Sequence, residues 1–136
     1  MTPQQIELIR DSWAAVEPTA ATDLFYRNLF AAAPALRPLF PDDLSAQGHK
    51  LAAAIDLVVA NLDDLEEILP VVRGLGQRHV GYGAKPAHYE VVGMALLQTL
   101  ETGLGDAFTP EACEAWGAAF GLLSSVMIEA ANDVAA

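Results

Sequence analysis

Apolar residues recur every three or four positions along most of this chain, which is the spacing of one face of an α-helix. The sequence lacks sustained alternation of apolar and polar residues, and no Asn-Gly or Asp-Gly turn joins two β-branched runs. The pattern therefore predicts an all-α protein. We expect a single domain over residues 1–136, because the chain contains no linker, internal repeat or low-complexity tract.

The first helix has a well-defined start signal. Thr2, Pro3 and Gln5 correspond to an N-cap, a first-turn proline and a capping-box partner, and the helix they begin extends toward Pro18. The residues predicted to form its buried face are Ile6, Ile9, Trp13 and Val16.

Prolines and apolar stripes then mark two further helices. One is predicted from about Thr19 to Ala33, followed by a tight corner from Pro34 to Pro41, and the next from roughly Ser45 to Asn61. Asp63 is expected to cap a short turn that continues through Glu66. The predicted core-facing residues are Phe25, Tyr26, Leu29 and Phe30, then Leu51, Ile55, Val58 and Leu62.

Three helices are predicted in the second half. Pro70 begins one, which the run Val80-Gly81-Tyr82-Gly83 ends, and another extends from Pro86 to about Gly103. The last begins at Thr109-Pro110-Glu111. The predicted core-facing residues are Tyr89, Val92, Gly93, Leu96, Leu97 and Leu100, then Trp116, Phe120, Leu123 and Met127.

Composition narrows the range of functions. The chain has 136 residues, of which 53% are hydrophobic, and 18 acidic against 7 basic residues give a formal charge of -11. That charge disfavours binding to nucleic acids and to anionic membrane surfaces. With no leader-like N-terminus or membrane-spanning stretch, the sequence predicts a soluble cytoplasmic protein. The lone Cys113 is interpreted as a small buried apolar residue.

His79 is the first candidate for chemistry. A histidine near a helix C-terminus is most often a capping cation or a surface residue, so His79 alone would be weak evidence for a ligand. Leu75 lies one turn earlier on the same face, and Tyr89 follows ten residues later. These neighbours strengthen the hypothesis that His79 is a metal ligand in one wall of a pocket.

A second group of residues could form the opposite wall. Gln47 and Leu51 lie four residues apart on one helix face, and a helical fold could aim them and Tyr26 at the same pocket. Phe40, between Pro38 and Pro41, would be either a plug for the corner or a wedge against a flat macrocycle. Taken singly, each residue has an ordinary core or surface role, and together they suggest the two walls of a haem site.

The chain contains two other histidines that could serve as ligands. His49 is two residues from both Gln47 and Leu51, about 200° around the helix, so we expect it to face solvent. If the helix started late, Gly48 would let His49 turn inward as a second axial ligand. His88 has no evident partner and is expected at the surface. The sequence contains no phosphate-binding glycine loop with its lysine, no His-x-x-x-His zinc pair and no nucleophile elbow.

Several segments in order along nearly the whole chain carry a family resemblance. They are Leu24-Phe25-Tyr26-Arg27-Asn28-Leu29-Phe30, the Pro34-x3-Pro38-Leu39-Phe40 corner, the His79 helix, His88-Tyr89-x-Val91-Val92-Gly93 and Ala115-Trp116-Gly117. This pattern resembles the globins of bacteria, and above all single-domain haemoglobins of the Vitreoscilla type and the globin domain of flavohaemoglobins. The resemblance implies the globin fold, a three-over-three helical sandwich around haem b (iron protoporphyrin IX).

The resemblance also implies roles for individual residues. His79 would be the proximal iron ligand, Tyr26 and Gln47 the distal polar residues, Leu51 would lie over the iron and Phe40 on the porphyrin.

Further residues would complete the haem site. Leu75 and Val92 would contact the haem, and the carbonyl of Leu75 could accept the second N–H of the proximal imidazole. Tyr89 would lie behind that imidazole. Lys50 and Arg78 are candidates for the haem propionates, with an ordinary role as surface cations equally open.

The sequence departs from the family pattern at one important position. Flavohaemoglobins pair the tyrosine that matches Tyr89 with a glutamate on the last helix, but the matching position, fifteen residues after Trp116, is Ala131. Glu129, the nearest acidic residue, would face elsewhere. The missing carboxylate argues against strong peroxidase-like or dioxygenase chemistry. No flavin or nicotinamide domain follows in this sequence, so turnover is expected to need a separate reductase.

Three functions follow from the resemblance. The first is reversible binding of oxygen, for transport or storage, with nitric oxide, carbon monoxide and sulfide as further candidate ligands. The second is an enzyme, a nitric oxide dioxygenase that works with a separate reductase. The third is a haem-based sensor or a haem-free globin-like interaction module.

Overall fold

The structure is a computed structural model that describes residues 1–81 and 83–135, with the side chains of residues 81, 134 and 135 outside that description. Its α-helices are α1 (Pro3–Ala14), α2 (Pro18–Ala32), α3 (Ser45–Ala60), α4 (Leu69–Gly81), α5 (Pro86–Leu104) and α6 (Pro110–Ala135). Short 3₁₀ turns occupy Pro34–Leu39, Leu65–Ile68 and Gly105–Ala107. The described residues contain no strand, and the all-α prediction is confirmed.

Capping side chains define the helix starts. Thr2 Oγ1 accepts a hydrogen bond from the backbone N–H of Gln5, whose side chain accepts one from the backbone N–H of Thr2, both at 3.1 Å. Glu17 caps α2 by accepting from the backbone of Ala20, and Thr109 caps α6. These bonds satisfy N–H groups that lack partners inside the helix. The predicted helix boundaries therefore agree with the structure to within one or two residues at most ends.

Three local predictions were wrong. Asp63 does not cap the following turn, because its carboxylate accepts a hydrogen bond at 3.2 Å from Arg10, which also donates to carbonyls at the C-terminal end of α3. His88 is half-buried, and its Nδ1 accepts the backbone N–H of Lys85 at 3.0 Å, so it caps α5. Cys113 is half-buried rather than fully buried.

The helices pack as a three-over-three sandwich. One layer contains α1, α3 and α4, and the other contains α2, α5 and α6. Across the layers α4 and α1 pack on α6 while α3 packs on α2, and within them α1 contacts α3 and α5 contacts both α2 and α6. None of the described helices is both long enough and apolar enough to span a bilayer.

The core consists of two hydrophobic clusters. The first joins α1, α5 and α6 with the turn after α3, and its buried members are Ile9, Trp13, Leu62, Leu100, Ala115, Trp116 and Ala119. The second joins α2, the corner and α5, with Phe25, Tyr26, Leu29, Leu36 and Ala95 as buried members. Leu96 on α5 packs against both clusters. The side chain of Asp56 supports the first cluster by accepting a 2.6 Å hydrogen bond from the indole of Trp13.

Helix α4 lies unusually close to α6 at Gly76. A Cβ added to Gly76 would overlap the carbonyl oxygen of Met127 and lie 2.7 Å from its Cα, so any larger residue would push the two backbones apart. Gly74, two residues earlier on α4, has open space, with Arg78 Nη1 the nearest atom at 3.9 Å. The same helix therefore contains one glycine required by packing and one that is not.

We predict that Gly76→Ala destabilises the protein by about 1–3 kcal/mol, because the overlap is with backbone that cannot rotate away. Gly74→Ala is the matched control, and it should be neutral or stabilising by up to about 1 kcal/mol, because alanine favours the helix. Urea unfolding of both variants measures the difference. Equal effects at the two positions would contradict the close packing of α4 on α6.

Candidate functional site

His79 lies in the last turns of α4, half-buried, with its ring orientation set by the preceding turn. Its Nδ1 is 2.5 Å from the carbonyl oxygen of Leu75. A carbonyl can only accept, so the ring nitrogen is assigned as the donor. A neutral imidazole that donates from Nδ1 presents the lone pair of Nε2, which is the arrangement that histidine metal ligands use. The structure thus confirms the predicted bond between His79 and Leu75.

Tyr89 on α5 lies behind this imidazole. The two ring centres are 6.4 Å apart with a tilt of 38°. The Tyr89 hydroxyl is buried with no hydrogen-bond partner, and burial raises the pKa of this phenol. Ala131, where the resemblance implies a glutamate, has no side-chain hydrogen-bond acceptor, and Glu129 is exposed. The Tyr89 hydroxyl is therefore an unsatisfied polar group on a ring that lies beside His79.

Tyr26 on α2 is the corresponding polar group in the second core cluster. Only 5% of its surface is exposed, and its ring lies among those of Phe25, Phe30 and Phe40 at centre distances of 5.1, 6.0 and 5.7 Å. Burial raises the pKa of Tyr26 to about 12, and the neighbouring Gln47 offsets part of that effect. At neutral pH the hydroxyl is therefore a protonated hydrogen-bond donor.

The first turn of α3 meets Tyr26 directly. The Tyr26 hydroxyl is 3.4 Å from the backbone carbonyl oxygen of Gln47, a long contact that a better acceptor could replace. Gln47 is half-buried, and Leu51, one turn further along α3, packs on the same cluster as Tyr26. The predicted distal group of Tyr26, Gln47 and Leu51 is thus brought together.

Gly48 decides the register of α3. It is buried, and a Cβ added there would lie 3.0 Å from Oγ1 of Thr22 on α2. Because Gly48 faces α2 and the helix already begins at Ser45, the neighbouring His49 is exposed, as the helical register predicts. The open alternative, in which His49 turns inward, has no support in this geometry.

Arg37 is a structural residue of the site that the sequence analysis missed. Its guanidinium donates hydrogen bonds to the carbonyls of Phe40, Pro41 and Asp42 and lies 5.2 Å from the ring centre of Phe30. These contacts hold the corner closed and fix the position of Phe40. One feature of the sequence could have indicated this role. Arg37 lies in a turn bounded by prolines, where backbone carbonyls lack helical hydrogen-bond partners and need another donor.

The term crevice denotes the region between the wall that contains His79 and the wall that contains Gln47. In the described part of the chain α3 packs on α1 and α2, and α4 packs on α6 and its own preceding turn, with no extended packing between α3 and α4. The apolar residues predicted to contact haem are all only half-buried, which leaves apolar surface for a further group to cover: Phe40, Leu51, Leu75 and Val92.

These residues fit a haem. An apolar crevice, an oriented imidazole on one wall and a buried phenol on the other match a flat apolar macrocycle with a central metal. Within residues 1–81 and 83–135 no three His, Cys, Asp or Glu side chains are grouped to hold a metal ion by themselves. Lys50 and Arg78, predicted at the propionates, are exposed.

The chain is similar to proteins of known family. It matches the family profile Globin over residues 23–127. It is 34% identical to a flavohemoprotein of Bacillus subtilis over 95% of this chain and 34% of that protein, and 37% identical to one of Bordetella parapertussis over 80% and 28%. The chain thus spans about a third of the length of the curated relatives it matches.

Solved structures agree with this assignment. A bacterial globin from Campylobacter jejuni superimposes with a TM-score of 0.86 and 27% identity, covering 98% of this chain and 99% of that one. An engineered carbene transferase from Rhodothermus marinus, described as a candidate nitric oxide dioxygenase, superimposes with a TM-score of 0.89 and 26% identity, covering 99% and 96%. The expected likeness to bacterial globins and to the globin part of flavohaemoglobins is confirmed, and the chain belongs to the globin family.

Proposed function

We propose that this globin holds haem b between α3 and α4 with His79 as the iron ligand, and that it binds oxygen reversibly. The arrangement that carries the proposal is the oriented imidazole of His79 on one wall and the buried hydroxyl of Tyr26 beside the other. Ferrous haem supplies an iron that binds diatomic ligands such as oxygen, carbon monoxide and nitric oxide.

The chain's own residues would then select among ligands. The Tyr26 hydroxyl, now in long contact with a carbonyl, can donate to a polar ligand in the crevice, and the Gln47 amide can add a second donor. Leu51 and Phe40 limit the space and exclude water. Oxygen, which gains partial negative charge when bound, benefits from such donors more than carbon monoxide does.

On the proximal side the carbonyl of Leu75 orients the imidazole of His79. A carboxylate beside the histidine would make the imidazole more basic, but here the carbonyl of Leu75 is the acceptor and Tyr89 has no acidic partner. This observation favours a ligand-binding protein over an enzyme.

The second candidate is nitric oxide dioxygenation with a separate reductase. It is supported by the similarity to flavohemoproteins and to the candidate dioxygenase from Rhodothermus marinus. The distal donors Tyr26 and Gln47 suit both functions, so the two proposals differ mainly on the proximal side.

The haem proposal predicts that the protein purifies with one haem per chain and that His79→Ala loses ordered ligation. His49→Ala is the matched control, and it should keep a five-coordinate ferrous spectrum because His49 is exposed. Since haem would bind only the folded crevice, it should stabilise the native protein by about 2.7 kcal/mol at a hundredfold excess over Kd. Absorption spectra and thermal melts with and without haemin test these points. Protein that stays colourless with added haemin would contradict the proposal.

We predict that Tyr26→Phe speeds oxygen dissociation by about ten- to a hundredfold. The substitution removes the proposed hydrogen bond from the Tyr26 hydroxyl to oxygen, and a charge-assisted hydrogen bond contributes roughly 1.5 to 3 kcal/mol. Carbon monoxide dissociation should change little. With a pKa of about 12 the phenol stays protonated at pH 6 and pH 9, so the ratio of mutant to wild-type rates should be equal at both values. Stopped-flow kinetics measures the rates. Equal acceleration for both gases would indicate a steric role for Tyr26.

We predict that Tyr89→Phe leaves the free energy of unfolding unchanged or raises it by up to about 1 kcal/mol. The substitution removes a buried hydroxyl that has no hydrogen-bond partner. Oxygen dissociation should be unchanged, since no hydrogen bond connects this hydroxyl to His79. Denaturant unfolding and oxygen kinetics of the haem-bound protein provide the measurements. A clear loss of stability, or faster oxygen release, would indicate that the hydroxyl has a functional partner and would support the dioxygenase.

A further inference from the structure

A surface cavity lies outside the crevice, between α2 and the corner that leads to α3. Its volume is about 340 Å³. The lining residues come from α2, the corner and the residue just before α3, and they are Asp23, Tyr26, Arg27, Phe30, Arg37 and Leu44. Apart from Tyr26 and Arg37, which holds the corner that carries Phe40, none of them belongs to the proposed haem site.

Tyr26 is shared between this cavity and the crevice. Its hydroxyl points to the carbonyl of Gln47 on the first turn of α3, while its side chain also lines the cavity. Tyr26 thus lies between a cavity that opens to solvent and the first turn of α3, where the proposed distal donors meet.

The inner part of the cavity suits an uncharged ligand. Tyr26, Phe30 and Leu44 supply aromatic and aliphatic surface, whereas Asp23 and Arg27 are exposed at the mouth. Apolar cavities of about 150 Å³ already bind xenon or benzene, so this space is large enough for diatomic gases.

The cavity mouth is held by a fixed element. Arg37 lines it, and the hydrogen bonds from Arg37 to the carbonyls of Phe40, Pro41 and Asp42 keep the corner in place. Its guanidinium is engaged with these carbonyls and with the ring of Phe30, so the cavity is better suited to transit than to tight binding of an anion.

We propose that this cavity is the passage by which oxygen and other uncharged diatomic ligands reach the distal pocket, with Tyr26 and Leu44 as its inner gate. The proposal rests on the proposed function, because a passage matters only if the crevice binds such ligands.

Flash photolysis of the carbon monoxide complex tests the passage. Leu44→Trp should fill the inner end, and Asp23→Trp should obstruct the mouth from an exposed position that leaves the core untouched. Both substitutions should slow the bimolecular association of carbon monoxide, by up to about tenfold. The rate of thermal carbon monoxide dissociation should stay nearly unchanged. Leu122→Trp on α6 is the control, since Leu122 is also an exposed position but lies outside the cavity.

Xenon supplies a readout that does not depend on the haem reaction. Amide resonances of Phe30 and Leu44 should shift under xenon pressure in the wild-type carbon monoxide complex, and Leu44→Trp should abolish the shift.

The outcomes separate this proposal from the proposed function. Failure to form a carbon monoxide complex would refute the haem site. If the carbon monoxide complex forms normally and its association rate is unchanged in both Leu44→Trp and Asp23→Trp, the passage is refuted. It is also refuted if only Leu44→Trp slows association and the dissociation rate changes as well, because that combination would indicate that the substitution distorts Tyr26.

Discussion

The crevice depends on how its two walls are anchored. Helix α4 meets α6 at a backbone-to-backbone approach that only Gly76 permits, and α3 meets α2 at the tight contact of Gly48 with Thr22. Each wall is therefore attached to a different helix of the other layer. Because close-packed contacts resist sliding, these two anchors help to hold α3 and α4 in place against the other layer. His79 and Gln47 owe their relative positions to contacts outside the crevice.

Few polar groups lie near the crevice, and they have different roles. On one side the carbonyl of Leu75 orients the imidazole of His79, and on the other burial raises the pKa of the Tyr26 phenol to about 12. Tyr89 is the exception, because its buried hydroxyl has no partner. Buried polar groups without a partner are rare in folded proteins.

Local features of the fold could be predicted from the sequence. Prolines and capping side chains determine where helices begin, and the bond from His79 to Leu75 joins residues one turn apart. The same holds for the exposure of His49, which follows from its angle to Gln47.

Interactions between distant segments could not be predicted in this way. The sequence pattern predicts that Asp63 caps a local turn. In the structure Asp63 instead binds Arg10, which is 53 positions away in sequence and also donates to the last carbonyls of α3. The partner of Gly76 lies on another helix, and the role of Arg37 depends on how the corner folds. Helix propensity and hydrophobic periodicity carry no information about such contacts between distant segments.

The division of the core into two clusters has a consequence for cooperativity. Leu96 packs on both clusters, whereas most other core residues belong to one of them. Parts of a protein that share many buried contacts open together, at a free energy close to that of global unfolding. Helix α5 contributes to both clusters and packs extensively on α2, so it ties the aromatic cluster around Tyr26 to the tryptophan-centred cluster of α1 and α6. The two halves of the core are therefore expected to unfold as one cooperative unit.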